Sequence, residues 1–140
     1  MQKEFRKGSY VISTDKRKLN FGVVHGFLAG SYWAKGRSPE VTGSSVKNSV
    51  CFGLYHDRRQ IGFARVISDK ATFAYLADVF IIDEYRGRGL SKWLMKVIFE
   101  HPMFRTVKSW MLATRDAHGL YRKFGFKRLS DPGKYMQRKS

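Results

Sequence analysis

Asp83–Pro102 reads DEYRGRGLSKWLMKVIFEHP. Two glycines stand among two arginines, at the point where an apolar run stops and an amphipathic helix starts. Leu90, Trp93, Leu94, Val97 and Ile98 form one helical stripe, and His101-Pro102 closes it. Just upstream, ATFAYLADVFII (residues 71–82) is apolar at both alternating positions. That is the pattern of a central strand covered on two faces. A turn between strand and helix accounts for the glycines but not for the arginines. Glycine lets the backbone bend with its N–H groups inward and lets a ligand come close. The helix start adds unpaired donors and the positive end of a dipole. Together they form an anion site suited to a pyrophosphate. Arg86 and Arg88 would add charge-assisted hydrogen bonds. The plainer alternative is a glycine turn with exposed arginines.

Working outward, 140 residues suit one domain, expected over 1–140. Lys and Arg total 27 against 11 Asp and Glu, a net charge of +16. Such a chain attracts polyanions: nucleic acid, anionic membrane or phosphorylated small molecules. The basic residues are spread through every segment, so a solvated basic surface explains them equally well. The single Cys51 excludes an intramolecular disulfide and any multi-cysteine metal site, and no metal is expected. Its setting, SVCFGLY, suits a buried, inert thiol. No apolar stretch follows MQKEFRKG, so a secretory leader is not expected. No run reaches the length of a membrane span. A cytoplasmic, soluble protein without a membrane partner is the expectation.

The remaining elements alternate. SYVIST reads as a first strand, with Ser13 or Thr14 capping a helix that runs to about Trp33. Gly22, Gly26 and Gly30 recur every fourth residue on that helix, a small-residue stripe suited to tight packing on a sheet. Ser38 and Pro39 open a short helix. SVCFGLYH and QIGFARVIS form a hairpin. After the Asp83–Pro102 stretch come the strand VKSWMLAT, a short helix in DAHGLYRKFGF capped by Asp116, and a closing hairpin of FKRLS and KYMQR around DPG. The order implies an α/β sheet with helices on both faces.

Other phosphate loops fit poorly. The spacing G-x-x-x-x-G-K-[ST] is absent. G-x-G-x-x-G needs a glycine at position 92, where Lys92 stands. Instead RGRGLS, preceded by YLADVFIIDEY, resembles the acetyl-coenzyme A loop of the GNAT superfamily of N-acetyltransferases, with its motif Q/R-x-x-G-x-G/A. Arg86, Gly89 and Ser91 occupy the three motif positions. Ser91 replaces the usual Gly or Ala but is small enough for close approach. A second family segment, A-x-x-L-Y-x-x-x-G-F, is matched by AHGLYRKFGF from Ala117.

The resemblance implies a mixed, mostly antiparallel twisted sheet and transfer of an acetyl group from acetyl-coenzyme A to a primary amine of a small molecule or peptide. It places the pyrophosphate on Arg86, Gly87, Arg88, Gly89, Leu90 and Ser91. It runs the pantetheine arm along Val79, Phe80 and Ile81, with a backbone N–H near Val79 polarising the thioester carbonyl. Tyr121 matches the tyrosine that serves the leaving thiolate, unless it is simply packed. For the base, Asp78 sits in an apolar run where burial would raise its pKa, or it forms a structural ion pair with Arg65. His118 and water are the other bases. Tyr32, Trp33 and Arg37 are expected to line the acceptor pocket, although Trp33 also suits the core. Transfer of a longer acyl group is a rival activity. A non-catalytic domain binding coenzyme A or nucleic acid on this fold is the other class, nucleic acid not being the favoured partner. A homodimer is left open.

Overall fold

The computed structural model describes residues 3–140; Met1 and Gln2, the head of the expected domain, lie outside the described residues. Among the described residues, six strands form one sheet in the order β1 (Glu4–Lys7), β2 (Tyr10–Ser13), β3 (Val50–His56), β4 (Arg59–Ser68), β5 (Phe73–Ile81) and β6 (Ser109–Leu112). Neighbours are antiparallel except β5 and β6, which run parallel. Parallel strands need a crossover, and α3 (Leu90–Phe99) supplies it. The apolar stripe of α3 buries Leu90, Leu94, Met95, Val97 and Ile98 against one face of the sheet. On that face α4 (His118–Arg122) adds Tyr121. The other face is covered by α1 (Phe21–Ala29), whose Val24 and Leu28 meet Cys51, Phe63 and Phe80, and by α2 (Pro39–Lys47). The layers are thus those expected: a mixed, mostly antiparallel sheet with helices on both faces.

Four local expectations are corrected. SYVIST gives the second strand, not the first. β1 precedes it through a turn at Gly8 (φ 61°) and carries just one apolar side chain, Phe5, so its sequence holds no alternating pattern. The first helix begins later than expected. Asp15 caps a short 3-10 turn, Lys16–Lys18, and Asn20 caps α1 by accepting from the Val23 N–H at 3.1 Å. Gly22, Gly26 and Gly30 lie on the solvent face of the helix segment, opposite Val24 and Leu28, so the glycine stripe packs against nothing. Finally, residues 127–140 contain no strand. They are exposed throughout, and without a buried face nothing fixes a hairpin there.

One irregularity in β5 shapes everything that follows. β4 and β5 pair Arg65 with Ala77 and Phe63 with Phe80, so Asp78 and Val79 together oppose Ala64. This is a β-bulge, and Asp78 within it takes a left-handed conformation (φ 54°). The extra residue reverses the facing of the strand. Before it, Ala74 and Leu76 point toward α3. After it, Ile81 does so, with Val79 packed partly against that core, while Phe80 points toward α1. Asp78 is thereby turned to the α1 side.

Candidate active site

β6 pairs with β5 only from Phe73 to Leu76. Beyond that point the two parallel strands part. Ala77–Ile81 continues along one side, and the chain after Leu112 turns away toward α4. The gap opens into a cavity of about 550 Å³. Asp78 and Val79 line it from the bulge, Tyr121 from α4, and Tyr32, Trp33 and Arg37 from the turn after α1. That turn is tightly built. The Ser31 hydroxyl donates to the Leu28 carbonyl at 2.7 Å and accepts from the Ala34 N–H at 3.1 Å. The Arg37 N–H reaches the Ala34 carbonyl at 3.0 Å.

Asp78 is the junction of the site. Its Oδ1 accepts from Trp33 Nε1 at 2.9 Å. Its Oδ2 accepts from Arg37 Nη1 at 2.8 Å and from Arg65 Nε at 2.9 Å. Arg65 is anchored in turn by donating to the Ser49 hydroxyl at 3.1 Å. Burial alone would push the Asp78 carboxyl upward. Arg37, Arg65 and the Trp33 indole outweigh it and hold the group below its ordinary value. The expected rise is therefore corrected: Asp78 is an ionised carboxylate with both oxygens engaged, and the pairing with Arg65 is the one weighed from sequence.

Tyr121 is buried, its ring edge-on to Phe126. Burial, with smaller contributions from Tyr32 and Asp116, pushes its hydroxyl up to about 12. It is thus a neutral phenol facing the cavity. His118 is exposed and lines a separate hollow with Trp110 and Phe126, which Tyr121 also borders. It does not line the main cavity. Asp116 does not cap α4; the position before the helix is Ala117, whose N–H is bound by Thr114 Oγ1 at 3.1 Å. Asp116 instead lines the cavity, as does Arg115, whose guanidinium lies over the Tyr32 ring, 3.7 Å from its centre. Sequence reading gave neither residue a place in the site. Their neighbourhood to Tyr121 in the chain was the available signal.

The glycine turn lies at the start of α3. Gly87 (φ 78°) and Gly89 (φ 76°) are both left-handed, and a Cβ on either would project into open space. Gly89 is the cap position and provides no side-chain acceptor, so the first N–H groups of α3 carry no side-chain cap. Leu90, Phe80 and Ile81 point into the core and present only main chain to a ligand. Arg86 Nε donates to the Ile81 carbonyl at 3.1 Å, and its Nη1 pairs with Asp83 at 3.0 Å. Arg88 folds back onto the sheet. It donates to Tyr10 Oη at 3.2 Å and stacks 4.8 Å from the centre of the Tyr85 ring. Tyr85 Oη is itself bonded to His56 Nδ1 at 2.7 Å. Each arginine is thus anchored locally, and Ser91 follows on the first turn of α3.

Among the described residues no group of three or more His, Cys, Asp or Glu is placed to hold a metal ion. No helix among them is long and apolar enough to cross a membrane.

Residues 47–128 match the family model of the acetyltransferase (GNAT) domain. A candidate acetyltransferase of Gibberella zeae is 30% identical, with 84% of this chain and 78% of the relative covered. The crystal structure of a candidate GNAT acetyltransferase from Xanthomonas campestris superposes with a TM-score of 0.91 at 44% identity, covering 94% of this chain and 93% of the other. A GNAT acetyltransferase from Elizabethkingia anophelis with acetyl-coenzyme A bound shares the fold at 13% identity, TM-score 0.68, with coverage of 94% and 88%.

Proposed function

The chain belongs to the GNAT acetyltransferase family, and from that premise we propose that it transfers an acetyl group from acetyl-coenzyme A to a primary amine held in the cavity between β5 and β6. The observation that carries this reading is the parting of the two strands, which brings the bulge at Asp78-Val79 and the neutral phenol of Tyr121 to one cavity.

The residues present fit the donor. The left-handed glycines leave the turn open and the start of α3 lacks a side-chain cap, so the main-chain N–H groups of Gly87 to Ser91 suit a pyrophosphate. The edge of β5 over Val79–Ile81 has no strand partner on its β6 side, which suits an extended amide-bearing arm. When bound, acetyl-coenzyme A supplies a thioester whose acetyl carbon is open to attack by a neutral amine.

The chain's own groups then have distinct tasks. The Val79 N–H, set beside the bulge, donates to a carbonyl oxygen in the cavity. Tyr121 Oη holds its proton across the physiological range and donates it toward the departing group. Asp78 keeps its charge and fixes Trp33 and Arg37, so its task is positioning rather than base catalysis. Proton removal from the amine falls to water at the cavity mouth. The test is thermal unfolding with and without acetyl-coenzyme A, followed by thiol release over a panel of amines. A rise in Tm and release with at least one amine is expected. No shift near saturating donor overturns the reading.

A further inference from the structure

Resting on that reading, we propose that the acceptor is an amine that also carries an anionic group, a carboxylate or a phosphate, bound by Arg37 and Arg115 beside the Tyr32 ring.

The charges lining the cavity lead there. Three arginines and two carboxylates face it: Arg37, Arg65 and Arg115 against Asp78 and Asp116. Asp78 cannot bind an incoming ammonium, because both of its oxygens are occupied and its side chain is 2% exposed. Arg65 is consumed by Asp78 and Ser49. The two arginines sharing that single carboxylate leave one positive charge uncompensated. The surplus sits on Arg37, the more exposed of the pair at 21% against 10%. Only Nη1 of the Arg37 guanidinium is engaged in a hydrogen bond among the described residues. Its remaining donors are those of a planar fork suited to a carboxylate or phosphate.

Arg115 supplies a second cation without an ion pair among the described residues. Its main-chain N–H donates to Tyr32 Oη at 3.1 Å while its guanidinium covers the same ring. Tyr32 packs edge-on against Trp33, 5.2 Å between centres, and Trp33 is bonded to Asp78. One chain of contacts therefore joins Arg115 to Arg37 across an aromatic wall. Asp116, beside Arg115 and near Tyr121, is the carboxylate left to attract the ammonium end. A molecule with an amine and an anion matches this arrangement. A polyamine or a lysine-rich peptide would meet a surplus of like charge.

The test is calorimetric binding in the presence and absence of coenzyme A, which prevents turnover. The probes are phenylalanine, phenylalaninamide, 2-phenylethylamine, 2-aminoethyl phosphate, 2-aminoethanol and spermidine. An anionic probe should bind roughly 10- to 100-fold more tightly than its neutral counterpart, the worth of a charge-assisted hydrogen bond. Preference for phenylalanine over its amide identifies a carboxylate; preference for 2-aminoethyl phosphate over 2-aminoethanol identifies a phosphate. Arg115→Gln, at an exposed position, should fold and erase most of the preference. Arg37→Met also disturbs Asp78, so Arg115→Gln is the decisive variant. The proposal falls if neutral probes or spermidine bind as tightly as the anions, if no anion binds, or if Arg115→Gln keeps the preference. Coenzyme A binding is read in the same titrations, so a failure of the donor reading is seen separately.

Discussion

Tyr121 and Asp78 share a cavity but differ in what each can give up. Tyr121→Phe keeps the buried ring and its contact with Phe126 while removing the hydroxyl. The turnover number should fall by roughly 100- to 10,000-fold, the range for loss of an acid-base group. Donor binding should persist, and stability should change by no more than about 1 kcal/mol. Unchanged kcat with a working acceptor would return Tyr121 to the core. Asp78→Asn is the opposite kind of change. It leaves Arg37 and Arg65 without their carboxylate, a loss of roughly 3–5 kcal/mol for a broken buried pair. The pH sign follows from the lowered carboxyl. Its contribution is fully present above the ordinary value of 3.8 and is lost as the pH falls through the folded-state value. Acid unfolding should therefore be less steep in Asp78→Asn than in the parent chain. Equal steepness would mean that Asp78 titrates alike in both states.

At the scale of elements, the turn before α3 offers the sharpest test. Gly89→Val places a β-branched residue at φ 76°, costing roughly 1–2 kcal/mol, and directs its side chain into the approach to the first N–H groups of α3. The donor-induced rise in Tm should vanish while the parent fold persists by circular dichroism. A normal rise would move the pyrophosphate elsewhere. This element was also the most legible in the sequence, since a buried strand, paired glycines and an amphipathic helix are each local patterns. Tyr32, Trp33 and Arg37 line the same cavity as Tyr121, Trp33 from a turn rather than from the helix expected there. The bulge was not legible. Nothing in YLADVFII marks the residue where facing reverses, and the extra residue shows itself only against β4. The charge state of Asp78 was hidden for the same reason, because two of its three partners lie more than 40 positions away in sequence. β1 and the tail lay beyond reach because short, mostly polar segments carry no periodicity.

For the whole molecule, the net charge of +16 acts at a distance. Acetyl-coenzyme A carries phosphates, so its association should slow as salt rises, while dissociation changes less. Stopped-flow binding between low and physiological ionic strength would show it; a salt-independent association rate would confine the charge to a solubilising role. The bulge has a consequence for how such a molecule can diverge. Through Asp78 the turn holding Trp33 and Arg37 is tied to the same strand that presents Val79. On the function proposed, a substitution on that wall should shift acceptor and donor geometry together. Arg115 meets that wall through the Tyr32 ring, but neither it nor Asp116 is bonded to Asp78 itself. New amine preferences should therefore arise at Arg115 and Asp116 first, with the Asp78 tie inherited unchanged.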